Sequence, residues 1–513
     1  MGSSLHAASF DRIPWRADLG EGDSPLRRLT LAYFGWAVPL LATGRVEDLD
    51  HVDVALTSLE SVPWSAPGIF RDLWNPYTVS HRVINLLAGL HLYREAGGSL
   101  DTPAAGRLLD HLRFGAAFIA ADPERDLQAN HLLKNWTALA AFAAAAPDPA
   151  SVFPYLSRAA AASLTQLVLD DGGHAERSPM YHALGLLDLE ILQASGAMPD
   201  LGPRLDRSIG TMRDALSVLT HPDGDVALFN DAWLGGAPSS RSLGVGSPMS
   251  GPRSLPETGY VRLAESEDAV IFDCGPCGLD LQPGHAHADF LSFELTVAGS
   301  RFIVDPGTPT YSAGPLRERC RSASTHNGPW LEGLEPLELW KSFRVGRRAA
   351  AGGLTGDGLA QAPLWCAGWH AGYSQNGTEA RRWIGLWPGR ALLVVDGWIG
   401  NTATSRRSRF TIPRPWTLRA GLQPPAFEGP RLVRCQALAG RIAPTEASVW
   451  WPRYGTEEPA TILDIRPAVD EGISLSALLW SWGDPSVIPG PAVNALGHAL
   501  IGARRTAPEG FRA

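Results

Sequence analysis

The stretch GHAHADFLSFELTVAGSRFIVDPGT, residues 284–308, places polar chemistry at one parity of an aliphatic-rich segment. With residues 285–289 extended, His285, His287 and Asp289 project from one face while Ala286 and Ala288 keep the other face small. The same parity continues through Leu291, Phe293, Leu295 and Val297, so one strand is expected to bury its later part in a sheet and offer its beginning to a cleft. Asp305 closes the run FIVD just before the Pro306–Gly307 turn. His326 follows in RSASTHNG. Two imidazoles and a carboxylate from separate segments, such as His287, Asp305 and His326, form a familiar ligand set for a divalent metal, and nitrogen donors favour zinc. Histidines satisfied by hydrogen bonds are the alternative.

Downstream, short runs such as RALLVVDGW, ASVWWPRYG and ISLSALLWSWG lie between Gly, Pro and Asp turns, and YVRLAES and AVIFDCG precede the central stretch. Many strands at short intervals imply an antiparallel β-sandwich over residues 259–513. Residues 236–258 are rich in Gly, Ser and Pro and read as a linker. Residues 1–235 read as all-helical, with helical periodicity in Ser80–Glu95, Gly106–Ala120, Leu132–Ala145, Ala150–Leu169, Pro179–Ala194 and Leu205–Thr220. Serial helices of similar length can stack in antiparallel pairs and close into a ring.

Bulk properties narrow the function. A chain of 513 residues exceeds what one core serves, and 45% hydrophobic with 19% charged residues excludes disorder. The formal net charge of −9 gives no bulk attraction to nucleic acid or anionic lipid, so an acidic substrate must meet a local basic patch. No segment is long and apolar enough to span a membrane. Eighteen Trp offer flat faces that suit sugar rings as well as cores. Five Cys do not make a disulfide framework, and the lone Cys274–Cys277 pair reads as a turn rather than a redox or zinc motif. The apolar run Leu29–Leu41 follows mostly polar sequence and reads as a first helix rather than a signal peptide, so a cytoplasmic location is expected, or a periplasmic or secreted one if the N-terminus is processed.

The helical half holds two polar clusters. One is Asn130-His131 with Asn135; the other, GGHAERSPMYH, contains His174, Glu176, Arg177, Ser178, Tyr181 and His182. Capping accounts for part of both: Asn130 is placed to cap Leu132–Ala145, and Ser178-Pro179 looks like an N-cap and N1 pair. Arg82 and Asn85, and Asn230-Asp231, are further polar candidates at element edges.

These motifs resemble the heparinase II/III superfamily of polysaccharide lyases, which includes heparinases and related alginate lyases. The matching text is NPYTVSHRVIN, ANHLLKN, DGGHAERSPMYH, LFNDA, GHAHADFLSFELTVAGSRFIVDPGTPTY and STHNG, in the family's order over roughly residues 75 to 330. The resemblance implies an incomplete (α/α) toroid followed by an antiparallel β-sandwich. It assigns Asn130 and His131 to neutralising a uronate carboxylate, Tyr181 to proton transfer and His285 to the active site. It assigns His287, Asp305 and His326 to a structural metal, zinc first and calcium second. Arg82, Glu176, Arg177, Asn230 and Tyr311 are the expected substrate contacts. The implied reaction is β-elimination on an acidic, uronate-containing polysaccharide such as a glycosaminoglycan, alginate or exopolysaccharide, leaving a C4=C5 unsaturated end. Two alternatives stand beside it: an inverting glycoside hydrolase using Glu176 and Asp231, and a noncatalytic polysaccharide-binding protein.

Overall fold

The computed structural model describes residues 9–16, 25–246, 250–400, 404–419, 421–422, 424–470, 473–483 and 493–506. The chain divides into two compact units, Met1–Leu167 with Gly185–Ile209, and Val168–Leu184 with Gly210–Ala513. The segment bearing Tyr181 therefore belongs with the sheets, although it lies within the helical stretch of the sequence.

In the first unit the helices are Val46–Glu60, Pro76–Glu95, Pro103–Ala121, Ala129–Ala143 and Leu156–Leu167, with shorter ones before them. Pro76–Glu95 starts four residues earlier than periodicity indicates, because the Asn75 side chain accepts from Thr78 N at 2.8 Å and Pro76 takes the first turn, where no amide is needed. It buries Val79, Val83, Leu86 and Leu90 and packs against Pro103–Ala121 and Ala129–Ala143. Each such side chain contributes about 1.5–3 kcal/mol of burial. Gly115 lets the helices close, since a Cβ there would lie 2.8 Å from Val83 Cγ2. The expected helix Ala150–Leu169 is two pieces, Pro149–Val152 and Leu156–Leu167. Pro154 lies between them; it lacks an amide and disfavours helical geometry in the residue before it.

The second unit is built from antiparallel sheets. Gly251–Leu255, Tyr260–Glu265, Asp268–Asp273, Phe293–Val297 and Ser300–Ile303 form a five-stranded meander in chain order. A larger sheet centres on Glu379–Trp387 and Ala391–Ile399, flanked by Leu364–His370 and Ile473–Ser481. A third contains Arg406–Pro413 paired with Glu458–Arg466. One buried cluster joins Phe293, Leu295, Phe302, Phe410, Leu463 and Trp480 from all three. The first strand starts at Gly251, inside the stretch read as a linker. Cys274 and Cys277 are free, buried thiols, the latter pushed up to about 12 by burial, so they offer no thiolate for redox or metal chemistry.

Residues 285–289 are not a strand. They form turns and irregular backbone, and the strand begins only at Phe293, after Leu291 takes a left-handed φ of 58°. The expected parity is thus broken before it reaches the sheet.

Candidate functional site in the sheet-rich unit

Asp231 is the hub of the site. It is fully buried, and it receives His285 Nδ1 at 2.9 Å on one oxygen, His287 Nε2 at 2.9 Å on the other, and both terminal nitrogens of Arg317. Burial alone would raise its carboxyl, but Arg317 and the two imidazoles hold it well below the usual carboxylate range. A permanently ionised carboxylate can only accept, so both imidazoles must donate to it. In the neutral rings this leaves His285 Nε2 and His287 Nδ1 as lone-pair nitrogens.

His285 keeps 13% of its side-chain exposure and stacks on Tyr181 with ring centroids 3.9 Å apart. The Tyr181 and Tyr311 hydroxyls lie 3.1 Å from each other. Ser178 caps the helix Pro179–Ala194 as expected, accepting from Tyr181 N at 3.2 Å, and so fixes where Tyr181 begins. Gly307, at φ 77°, makes the turn toward Tyr311; a Cβ there would lie 2.5 Å from Trp451 O. Tyr311 N donates to Tyr454 Oη at 2.9 Å, and the Arg317 guanidinium lies 5.1 Å from the Tyr311 ring centroid. Burial, with the Asp231 charge, keeps the Tyr311 phenol protonated well above its ordinary range. Glu176 Oε2 stands 3.9 Å from His285 Nε2.

Three expected substrate contacts are engaged in the scaffold instead. Arg82 is fully buried and donates to Ala32 O at 2.9 Å and Leu73 O at 2.7 Å. Arg177 donates to the carbonyls of Thr258, Ala175, Gly278 and Glu257. Asn230 is a clamp: its amide donates to Asp289 at 2.8 Å, its side chain donates to Arg177 O at 3.1 Å, and its Oδ1 accepts from His287 N at 2.9 Å. Buried guanidinium and amide groups must find partners in the protein, and the nearest carbonyls take them.

The first unit carries the other cluster. Asn130 lies inside the first turn of Ala129–Ala143 rather than capping it, because the cap position is Gln128. His131 Nδ1 lies 3.2 Å from Glu124 Oε1, and its ring sits 4.3 Å from that of Tyr77. Tyr77 in turn packs on His81, which stacks on Tyr33. Asn135 Nδ2 donates to Glu124 Oε2 at 3.1 Å.

The metal set differs from expectation by one member. Donor atoms of Asp289, Asp305 and His326, all buried, lie within 4.8 Å of one another. His287 lies just outside this set: its Nε2 is held by Asp231, which leaves Nδ1 as the nitrogen that could reach an ion, and its ring is 5.4 Å from that of His326. His326 Nδ1 lies 2.8 Å from Asp305 Oδ2, while His326 Nε2, Asp305 Oδ1 and His287 Nδ1 are buried without a hydrogen-bond partner among the described residues. Burial, opposed by His326, and repulsion from Asp289 push the Asp305 carboxyl up to about 6. Crowded buried carboxylates beside orphaned imidazole nitrogens fit a divalent cation.

A helical unit and a set of antiparallel sheets carrying a tyrosine–histidine–carboxylate cluster define a two-part protein of toroid-plus-sandwich class. Residues 248–478 match the family model described as heparinase II/III-like, C-terminal. A heparinase III crystal structure superposes with a TM-score of 0.73 at 16% identity, covering 93% of this chain and 80% of that one. A heparan sulfate lyase HepC mutant from Pedobacter heparinus gives 0.62 at 16%, covering 92% and 78%. At such identities the likeness establishes the fold, an incomplete toroid followed by a β-sandwich. Among curated proteins, FtsZ-localized protein C of Caulobacter vibrioides is 29% identical over 317 residues, which are 59% of this chain and 52% of that protein. The match thus spans about half the length of that relative.

Sequence reasoning missed Arg317 and the hub role of Asp231. Asp231 was read as an edge carboxylate beside Asn230 and as a partner of Glu176 in the hydrolase alternative; Arg317 lies in an ordinary helix start, PLRERCR, with no signal that it turns inward.

Proposed function

We propose that the protein is a polysaccharide lyase that cleaves an acidic, uronate-containing polymer by β-elimination. The observation that carries this reading is the hydroxyl pair Tyr181–Tyr311 at 3.1 Å, with His285 stacked on Tyr181 and anchored through Nδ1 to Asp231. In the reaction a base removes the C5 proton of the uronate, the electron pair forms C4=C5, and the C4–O4 bond breaks as an acid protonates O4. Water is not consumed. The anchored His285 offers Nε2 as base, and the protonated phenol of Tyr311, acting through Tyr181, supplies the proton to O4. Neutralising the uronate carboxylate lowers the barrier to C5 deprotonation; the family resemblance gives that role to Asn130 and His131. A divalent cation, zinc first, would be held by Asp289, Asp305 and His326 with His287 as a further donor, and would supply charge that keeps these strand ends together.

The two-carboxylate hydrolase loses support because Asp231 is saturated by two imidazoles and a guanidinium and has no free oxygen to activate water. A noncatalytic, partner-localised role draws on the likeness to a protein named for its localisation with FtsZ. Five free thiols suit a reducing compartment, and we propose the cytoplasm, which cell fractionation tests. Incubation with heparan sulfate, hyaluronan, alginate and bacterial exopolysaccharides, followed by ultraviolet absorbance of the unsaturated uronate, tests the lyase reading. A rise on any polymer supports it; new reducing ends without absorbance would replace it with hydrolysis, and binding without either product with the noncatalytic role.

A further inference from the structure

Residues 338–348, ELWKSFRVGRR, carry four basic side chains and one acid in a chain of formal net charge −9. Leu339–Trp340 pairs with Arg344–Val345 as a two-stranded hairpin. Two arginines of the helix Pro315–Arg321 hold its backbone: Arg317 Nε donates to Ser342 O at 2.9 Å, and Arg321 faces the carbonyls of Lys341, Ser342 and Arg344 at 3.4–3.5 Å. Arg317 is the same side chain that grips Asp231, so hairpin and reacting cluster share one rigid tether. Phe343 places its ring 5.1 Å from Tyr311 and 5.9 Å from His285. Gly284 permits this approach, since a Cβ there would already lie 3.2 Å from Phe343 Cβ.

The hairpin's charges are unevenly used. Arg347 donates to the carbonyls of Pro336, Gly372 and Glu335, and Arg348 pairs with Asp280 at 2.9 Å. Lys341 and Arg344 are exposed and make no ion pair among the described residues. Lys341 holds a left-handed φ of 53°, a conformation that costs a non-glycine residue free energy and is retained where surrounding structure enforces it. Trp340 and Phe343 are 43% and 40% exposed, so this one hairpin offers two aromatic rings to solvent beside its cations. Beside Trp340 and Lys341 lies a cavity of about 410 Å³, within the range of small-ligand sites, with Arg319 and Ser324 in its lining. Glu318 and Glu335 share that lining. Against these two acids the lining sets three basic side chains, Arg319, Arg321 and Lys341, while Glu335 accepts from Ser322 Oγ and from Ala323 N at 3.0 Å.

We infer that this hairpin is a binding subsite for an anionic sugar flanking the one that reacts, with Lys341 and Arg344 taking its carboxylate or sulfate and Trp340 stacking on its ring. The inference rests on the lyase reading for its place in the reaction, but not for its binding chemistry. An acidic polymer would otherwise be repelled by the net negative chain, and two exposed cations on a tethered hairpin supply the local attraction. The aromatic face gives contact to the ring's apolar C–H surface.

Calorimetry in the inactive Tyr181→Phe background tests it, using a hyaluronan hexasaccharide (carboxylate only), a heparan sulfate hexasaccharide (carboxylate and sulfate) and neutral cellohexaose. Lys341→Ala with Arg344→Ala should weaken binding of an acidic hexasaccharide about tenfold at unchanged melting temperature. Lys341→Arg with Arg344→Lys should retain it. Loss confined to the sulfated probe assigns sulfate to the subsite; loss on both assigns the carboxylate. Unchanged affinity for both acids, equal affinity for cellohexaose, or no binding of either acid by the parent overturns the inference. With Tyr181 restored, the same double substitution should raise KM and leave kcat unaltered. A protein that binds acids through the hairpin yet forms no unsaturated product keeps this subsite and loses the lyase reading.

Discussion

The two units each carry a polar, aromatic cluster, and the clusters are built differently. In the helical unit Tyr33, Tyr77, His81 and His131 lean on one another as half-buried rings, with Glu124 the only carboxylate paired to them by the contacts described. In the sheet-rich unit one fully buried carboxylate, Asp231, takes two imidazoles and a guanidinium, and the two tyrosines stand against this group through His285 and Arg317. A group held from several directions in a low-dielectric site is preorganised, and proton transfer needs that more than ring stacking does. Under the proposed lyase reading, this difference puts the proton-transfer chemistry in the sheet-rich cluster.

The largest expected effect tests that division at the phenol. Tyr181→Phe should lower kcat by about a thousandfold while oligosaccharide binding persists; activity near that of the parent would move the chemistry elsewhere. Next comes stability. Asp231→Ala leaves Arg317 buried without its partner and should cost about 3–5 kcal/mol, whereas Glu124→Gln in the helical cluster should cost about 1 kcal/mol. Equal losses in urea titrations would erase the contrast. Zinc at about a hundred times its Kd should stabilise the parent by about 2.7 kcal/mol, and Asp305→Ala should abolish the gain; a gain that survives would place the ion at another site.

The smallest effect is a pH slope. His370 is buried against Phe290 and Tyr373, with Arg382 nearby, and burial lowers it to about 3. The unfolded chain binds this proton near pH 6.5 and the folded chain does not, so the unfolded state holds more protons between about 6.5 and 3. Stability from this group is present above pH 6.5 and is lost as pH falls through that window. His370→Gln should flatten the slope of denaturation free energy between pH 7 and 4.5; an unchanged slope would remove His370 as a contributor.

The helices were legible because each buries one stripe at helical spacing, as Val79, Val83, Leu86 and Leu90 do. Their ends were less so, since Asn75 and Thr102 act through local hydrogen bonds upstream of the apolar pattern. Tyr181, His285 and Tyr311 were found through motif resemblance and do meet in space. Asp289 was missed as the member that joins Asp305 and His326, and the anchoring of His287 to Asp231, a partner 56 residues away, is something parity along a strand cannot report. Arg82 and Arg177 were read as substrate contacts since a sequence shows a charge but not the carbonyls that absorb it. The hairpin 338–348 escaped notice because its charges matter only once Phe343 is seen beside His285.

The excursion of residues 168–184 into the sheet-rich unit has a consequence for synthesis. Tyr181 leaves the ribosome about a hundred residues before the histidine it stacks on, a delay of roughly 5–20 s at ordinary elongation rates. The helical unit can close around its own contacts in that interval, holding the ends of the excursion while its middle waits for a partner. A gene fragment beginning at the first β-strand would make a sandwich lacking its phenol, so this architecture resists being inherited as separable halves.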